Sequence, residues 1–261
     1  MNVELIVALA STVVSLLAAL FSARANQRAR ELDYQLEQRK KADDAAAVAQ
    51  RILHQYRDPL LDAAQTLQSR TYNILINGYL GRFLHCGDAD EERYARDYTV
   101  FALAEYLTWV EIVRREVRFL DVGDEEHNRQ LMTLLTQTQL TIQSDKLAGP
   151  FRIFRGHQRA IAELMMVPTG APEGPRNECL GFAAFCDRLD EDEDFRAWFR
   201  RLREQVDLLV TRDHDERMTQ LQNDLVDIID HLDPRILRIP QHFRQRAARR
   251  AADGIPAQPA R

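Results

Sequence analysis

The alternation of apolar and polar positions divides the chain into three regimes. From Leu5 to Phe21 there are 17 residues without a charge, and Ser22 and Ala23 extend the run to 19. As a helix that run is about 28 Å long, close to the hydrocarbon thickness of a bilayer. Between Leu5 and Phe21 the only polar side chains are Ser11, Thr12 and Ser15, small hydroxyls that bond back to their own helix. The polar face of a buried core helix is missing. A secretory signal would carry a positive start and a small-residue cleavage frame. The start here is "MNVE", and the one nearby frame, Ala23-Arg24-Ala25, contains an arginine. The expectation is a permanent transmembrane anchor over residues 1–23.

The second regime, residues 24–56, is charged. No glycine or proline occurs before Pro59, so the anchor is predicted to continue as a helical stalk to about Tyr56, roughly 80 Å in all. Leu32 and Leu36 are the only leucines of 24–44, a thin basis for a coiled coil. Ala45, Val48, Ala49, Ile52, Leu53 and Tyr56 then recur at helical spacing and predict a core-facing stripe.

The third regime, residues 57–233, repeats that spacing and predicts a multi-helix bundle. "RDP" at 57–59 reads as a break, with Asp58 as N-cap and Pro59 as first residue of a new helix. Leu60, Ala64, Leu67, Thr71 and Leu75 carry it towards Leu84. A helix over about 89–121, with capping-box spacing at Asp88 and Glu91, is the most apolar and is expected at the bundle centre. Gly123 ends it and Asp124 opens a fourth, to about Ala148. Shorter helices are predicted at 157–166 and 179–189. Phe195, Trp198, Phe199, Leu202, Val206 and Leu209 mark another, and Leu221 to Leu232 the last, with Asp213 and Glu216 spaced as its capping box. "PTGAPEGPRNE", 168–178, reads as a loop, and no strand is predicted. The fold class is therefore all-α: an N-terminal transmembrane helix, a stalk, a bundle, and a basic, partly disordered tail over 234–261.

Charge sets the orientation. Arg24, Arg28, Arg30, Arg39, Lys40 and Lys41 follow the apolar run and no cation precedes it. The positive-inside rule puts the N-terminus outside and the body in the cytoplasm, single-pass at the cell membrane. Cys86, Cys179 and Cys186, an odd number without a disulfide framework, suit that compartment. Residues 1–41 carry net +2 and 235–261 net +6, which leaves −13 on residues 42–234 of a chain of net −5. The basic ends favour anionic lipid beside the bilayer, and the acidic body opposes nucleic-acid binding. Ala8, Ser11, Thr12, Ser15, Ala18, Ala19 and Ser22 form a strip of small side chains through which the anchor could self-associate.

Chemistry is sparse. "FRIFRGHQRAIAEL" gathers Arg152, Arg155, His157 and Arg159 around Gly156 at a helix start, an arrangement suited to a phosphate or carboxylate. The competing reading is that an acidic body supplies each arginine with a carboxylate. Cys179 and Cys186, seven apart, read as small core residues on one helix face, and "DRLDEDED" as a solvated helix start rather than a calcium loop. No metal-ligand spacing, nucleophile elbow, phosphate loop or dinucleotide fingerprint occurs, so no metal, cofactor or catalytic residue is assigned and catalysis is left open.

"YRDPLLDAAQTLQSRTYNIL", "YLTWVEIVRREVRFLD" and "FRIFRGHQRAIAELM" resemble segments of a bacterial group of membrane-anchored helical proteins of unassigned function. The resemblance covers most of 50–233. It implies a helical fold and a membrane localisation, and no catalytic residue. The leading expectation is an anchored cytoplasmic bundle acting as an interaction or scaffold module, with an unknown protein or itself as partner. The alternatives are a sensor or enzyme taking an anionic small molecule at the Arg152–Arg159 cluster, and a membrane-perturbing effector assembling through its anchor.

Overall fold

The computed structural model describes the backbone of residues 3–117, 125–171, 174–210 and 215–247. Side chains are described from residue 21 onward within those ranges, apart from 23, 25, 45, 46, 48–54, 116, 117, 125, 127, 171 and 174–176. The expected anchor therefore has a described backbone, while the side chains of Ala8, Ser11, Thr12, Ser15, Ala18 and Ala19 lie outside the described residues, as do those of Ala45, Val48, Ala49, Ile52 and Leu53 and all of Gly123, Asp124 and Asp213. Among the described residues, no helix is long and apolar enough to cross a membrane.

The fold is a helical bundle with one small hairpin. Helix α1 runs Val3–Leu75, α2 Tyr79–Phe83, α3 Ala89–Val117, α4 Glu125–Gln143 and α5 Arg155–Met165. Strands β1, Met166–Ala171, and β2, Gly174–Cys179, follow, then α6 Phe182–Glu191, α7 Glu193–Leu209 and α8 Glu216–Leu232. Helix α3 is the hub, as expected. It packs on α1, α2, α5, α6, α7 and β2, and α8 closes the bundle against α1 and α4.

Pro59 does not break α1. It removes one backbone donor, a loss that costs about 3 kcal/mol in a helix interior. Burial of Leu60, Leu61, Ala63, Ala64 and Leu67 on the same helix outweighs that loss. The Arg57 guanidinium ties the helix further to the Leu232 carbonyl at the end of α8, 2.7 Å from Nε. At 73 residues, α1 is about 110 Å long. Along its outer part Phe21, Leu32, Tyr34 and Leu36 are all exposed.

The segment expected to be a loop forms the β1–β2 hairpin, antiparallel, with Met166 opposite Cys179 and Gly170 opposite Pro175. Its prolines are tolerated because a two-stranded ribbon has only edge strands. Cys179 and Cys186 consequently sit in β2 and α6 rather than on one helix face. The start of α8 is capped by Asp215, whose carboxylate accepts from Met218 N at 2.8 Å. Gly149, at φ +115°, passes so close to Asp215 that any Cβ there would collide with its carboxylate.

The first part of the expected tail is folded. Asp233 accepts backbone N–H groups from Leu237, Arg238 and Ile239 at 2.9, 3.1 and 3.0 Å. It also pairs with Arg244 at 2.7 Å, both side chains being buried. Residues 248–261 lie outside the described residues.

Candidate functional site

The site is built where the chain leaves α4 and enters α5. Arg217, buried on α8, donates to the carbonyls of Thr141, Ser144 and Leu147 and so closes the C-terminal end of α4. Phe151 then adopts φ +61°, uncommon for a bulky residue. It is held there by its buried ring and by Gln205 of α7, whose Oε1 accepts from Phe151 N at 2.9 Å. Gln158 fastens the first turn of α5 by donating to the carbonyls of Gln139 and Ile153 at 3.1 and 2.8 Å. The segment 151–154 is thus pinned on both sides, and its alternate residues Arg152 and Phe154 face outward while Phe151 and Ile153 are buried.

Between this segment, α5 and α7 lies a cavity of about 300 Å³, lined by Arg152, Ile153, His157 and Ile161 on one side and Trp198, Arg201, Leu202 and Gln205 on the other. Its floor is apolar and its rim is cationic and aromatic. Trp198 meets the His157 ring edge-on at 6.1 Å, Phe154 lies 6.3 Å beyond His157, and the Arg152 guanidinium stands 5.5 Å from the Phe154 ring.

The four residues singled out in the sequence separate. Arg152 and His157 line the cavity. Arg155 and Arg159 do not. Arg155 is half-buried, and its pKa is held down first by that burial and then by the nearby charges of Arg159 and Arg114, with Glu111 opposing. Glu111 is already committed to Arg114 and Arg115, and Glu163 to Arg115. Among the described residues no carboxylate pairs with Arg152, Arg155, Arg159 or Arg201. Elsewhere arginines do find carboxylates: Arg203 with Asp97 at 2.7 Å, Arg96 with Asp207 at 2.9 Å, and Arg93 with Asp190 at 2.7 Å.

Trp198, Arg201 and Gln205 are the site residues that sequence reasoning missed. Trp198 was assigned to the core stripe of its helix, yet it is 45% exposed. Their spacing of three and four residues along one face of α7 was the available signal. Burial pushes the Cys179 thiol up to about 12, with Glu105 adding to the effect, so this cysteine is an unreactive part of the packing. Among the described residues, no three His, Cys, Asp or Glu side chains come together to hold a metal ion. Asp192, in the acidic run, caps α7 by accepting from Phe195 N at 2.9 Å.

Comparison with family models, curated proteins and solved structures finds no match for this chain, so its function is argued from this geometry alone.

Proposed function

We propose that this chain is a membrane-tethered helical binding module whose α5–α7 cleft takes a small anion with an apolar, ring-sized body. The carrying observation is that Arg152 and Arg201 line a cavity without a carboxylate partner among the described residues, in a body that carries thirteen surplus negative charges. A guanidinium surrounded by available acids and bound to none is open to an external anion. The cavity falls at the lower end of the range for small-ligand sites, and the Trp198 ring with the Ile153, Ile161 and Leu202 side chains supplies an apolar floor. None of the lining residues is a Ser, Thr or Cys nucleophile. Binding is therefore favoured over covalent catalysis.

The tether rests on the uncharged run to Phe21 and on cations placed only after it, which support a single pass with the N-terminus outside and the bundle in the cytoplasm. The scaffold reading draws on that run, the stalk and the acidic bundle, and the effector reading on the small-residue strip of the anchor, while the cleft adds an observation specific to a ligand.

Anilinonaphthalene sulfonate, an aromatic anion whose emission is excited by energy transfer from tryptophan, tests the cleft. Its binding is expected to weaken about tenfold in the double variant Arg152→Ala/Arg201→Ala, since two charge-assisted contacts disappear. Neutral N-phenylnaphthylamine should bind that variant as it binds the parent. Unchanged sulfonate affinity in the double variant would refute the reading.

A further inference from the structure

A second cavity, of about 370 Å³, lies between α1, α2 and α3, on the part of α1 that enters the bundle. Arg70 lies at its centre and is 8% exposed. Three tyrosine rings surround its guanidinium: Tyr79 from α2 at 4.4 Å, and Tyr98 and Tyr94 from α3 at 4.6 and 5.5 Å. Tyr94 and Tyr98 are themselves stacked, their centroids 5.2 Å apart. The rings hold the guanidinium by cation–π attraction, but a π-face accepts none of its five N–H bonds in the plane of the fork. Among the described residues, Arg70 makes no hydrogen bond and no ion pair. Its fork therefore keeps donors for a ligand in the cavity, whereas the other deeply buried arginines of the described chain spend theirs on protein acceptors: Arg217 on carbonyls, Arg244 on Asp233.

In the same cavity Ser69, Thr66 and Asn73 add side chains that both donate and accept, and no carboxylate lines the cavity. A ligand that satisfies these groups must bring an anionic oxygen pair for the fork of Arg70 and neutral hydroxyls for Ser69, Thr66 and Asn73. A free ammonium would find no counter-charge here. A tyrosine-lined, hydroxyl-rich wall also suits the C–H and O–H faces of a sugar ring.

We propose that this cavity is a second binding site, independent of the α5–α7 cleft, for a small polyhydroxylated oxyanion such as a sugar phosphate or sugar acid, with Arg70 gripping the anion and Ser69, Thr66 and Asn73 its hydroxyls. Ser69 stands about 70 Å along α1 from Ala23. A headgroup of the bilayer around the expected anchor is out of reach at that distance, so the ligand comes from solution.

Calorimetric titration of the full-length chain tests the proposal, with glucose 6-phosphate and gluconate as probes. Both are expected to bind, and glucose, which lacks the charge, to give no heat. Arg70→Lys keeps the charge but loses the fork, and should weaken binding about tenfold. Ser69→Leu fills the cavity from α1 and should abolish binding even if Arg70→Lys disturbs the fold. The Arg152→Ala/Arg201→Ala variant should bind both probes as the parent does, which separates this site from the cleft. Absence of heat with both anions, or undiminished affinity in Ser69→Leu, would overturn the assignment. Inorganic phosphate binding as tightly as glucose 6-phosphate would overturn the part played by the hydroxyls.

Discussion

Glu105, on α3 beneath the hairpin, shows how a single side chain can set the pH response of the fold. Its carboxyl is pushed up to about 7, first by burial and then by the charge of Asp62. A raised acid holds its proton in the folded chain at pH values where the unfolded chain has released it. Stability from this group is therefore full below the unfolded value, near 4.5, and declines as pH rises towards 7. Glu105→Gln should abolish that decline, so that thermal melts at pH 5 and pH 8 differ less in the variant than in the parent. A variant that keeps the full difference would show that the dependence originates elsewhere. At this scale the sequence was partly legible. "FRIFRGHQRAIAEL" announced a cationic cluster, but alternation along 151–154 and the turn of α5 send Arg152 and His157 into the cleft and Arg155 towards α3. Which carboxylates Arg114 and Arg115 would already occupy is a long-range fact that no local spacing contains.

Elements were most legible where periodicity was long. The α3 stripe and the Asp88 cap, which accepts from Asp90 N and Glu91 N at 3.0 Å each, follow from local rules. Local rules failed where packing overrode them. Pro59 reads as a helix break until Leu60, Leu61 and Leu67 are buried against α3 and α8. The hairpin is hidden by Pro168, Pro172 and Pro175, residues that strands usually exclude. The segment after Pro234 reads as a solvated basic tail because the buried partner of Arg244 lies eleven residues back. That partner makes a sharp prediction. Asp233→Asn leaves the buried Arg244 with only the half-exposed Asp230 as counter-charge and should lower stability by about 3 kcal/mol, read as a fall in the urea midpoint. Burial opposes ionisation of Asp233, but the N–H groups of Ile239, Leu237 and Arg238 and the charge of Arg244 together hold its pKa below the ordinary range. Its contribution is thus present above the unfolded value and is lost as pH falls through the folded one. Asp233→Asn should therefore also flatten the acid limb of the stability curve.

For the whole molecule, the division of labour along α1 is testable. Among the described residues the first core side chain is Tyr56, and every described side chain from residue 21 to residue 44 is exposed. Deleting residues 1–23 should move the protein from the sedimenting membrane fraction to the supernatant while leaving the thermal transition and sulfonate binding of the bundle unchanged. A deletion variant that still sediments with membranes would refute the proposed anchor. The bundle and its charge asymmetry were visible in composition and pattern, whereas both cavities arise from elements far apart in the chain and could not be located before the fold was known.

An uninterrupted α1 has a mechanical consequence. A shaft with a hinge at residue 57 would let the head swivel freely, but a shaft that continues unbroken into the interior of the head cannot turn without turning it. Torque applied to the first third of the helix would arrive at Ser69 and Arg70, on the wall of the tyrosine-lined cavity, and occupancy of that cavity would in return resist the rotation.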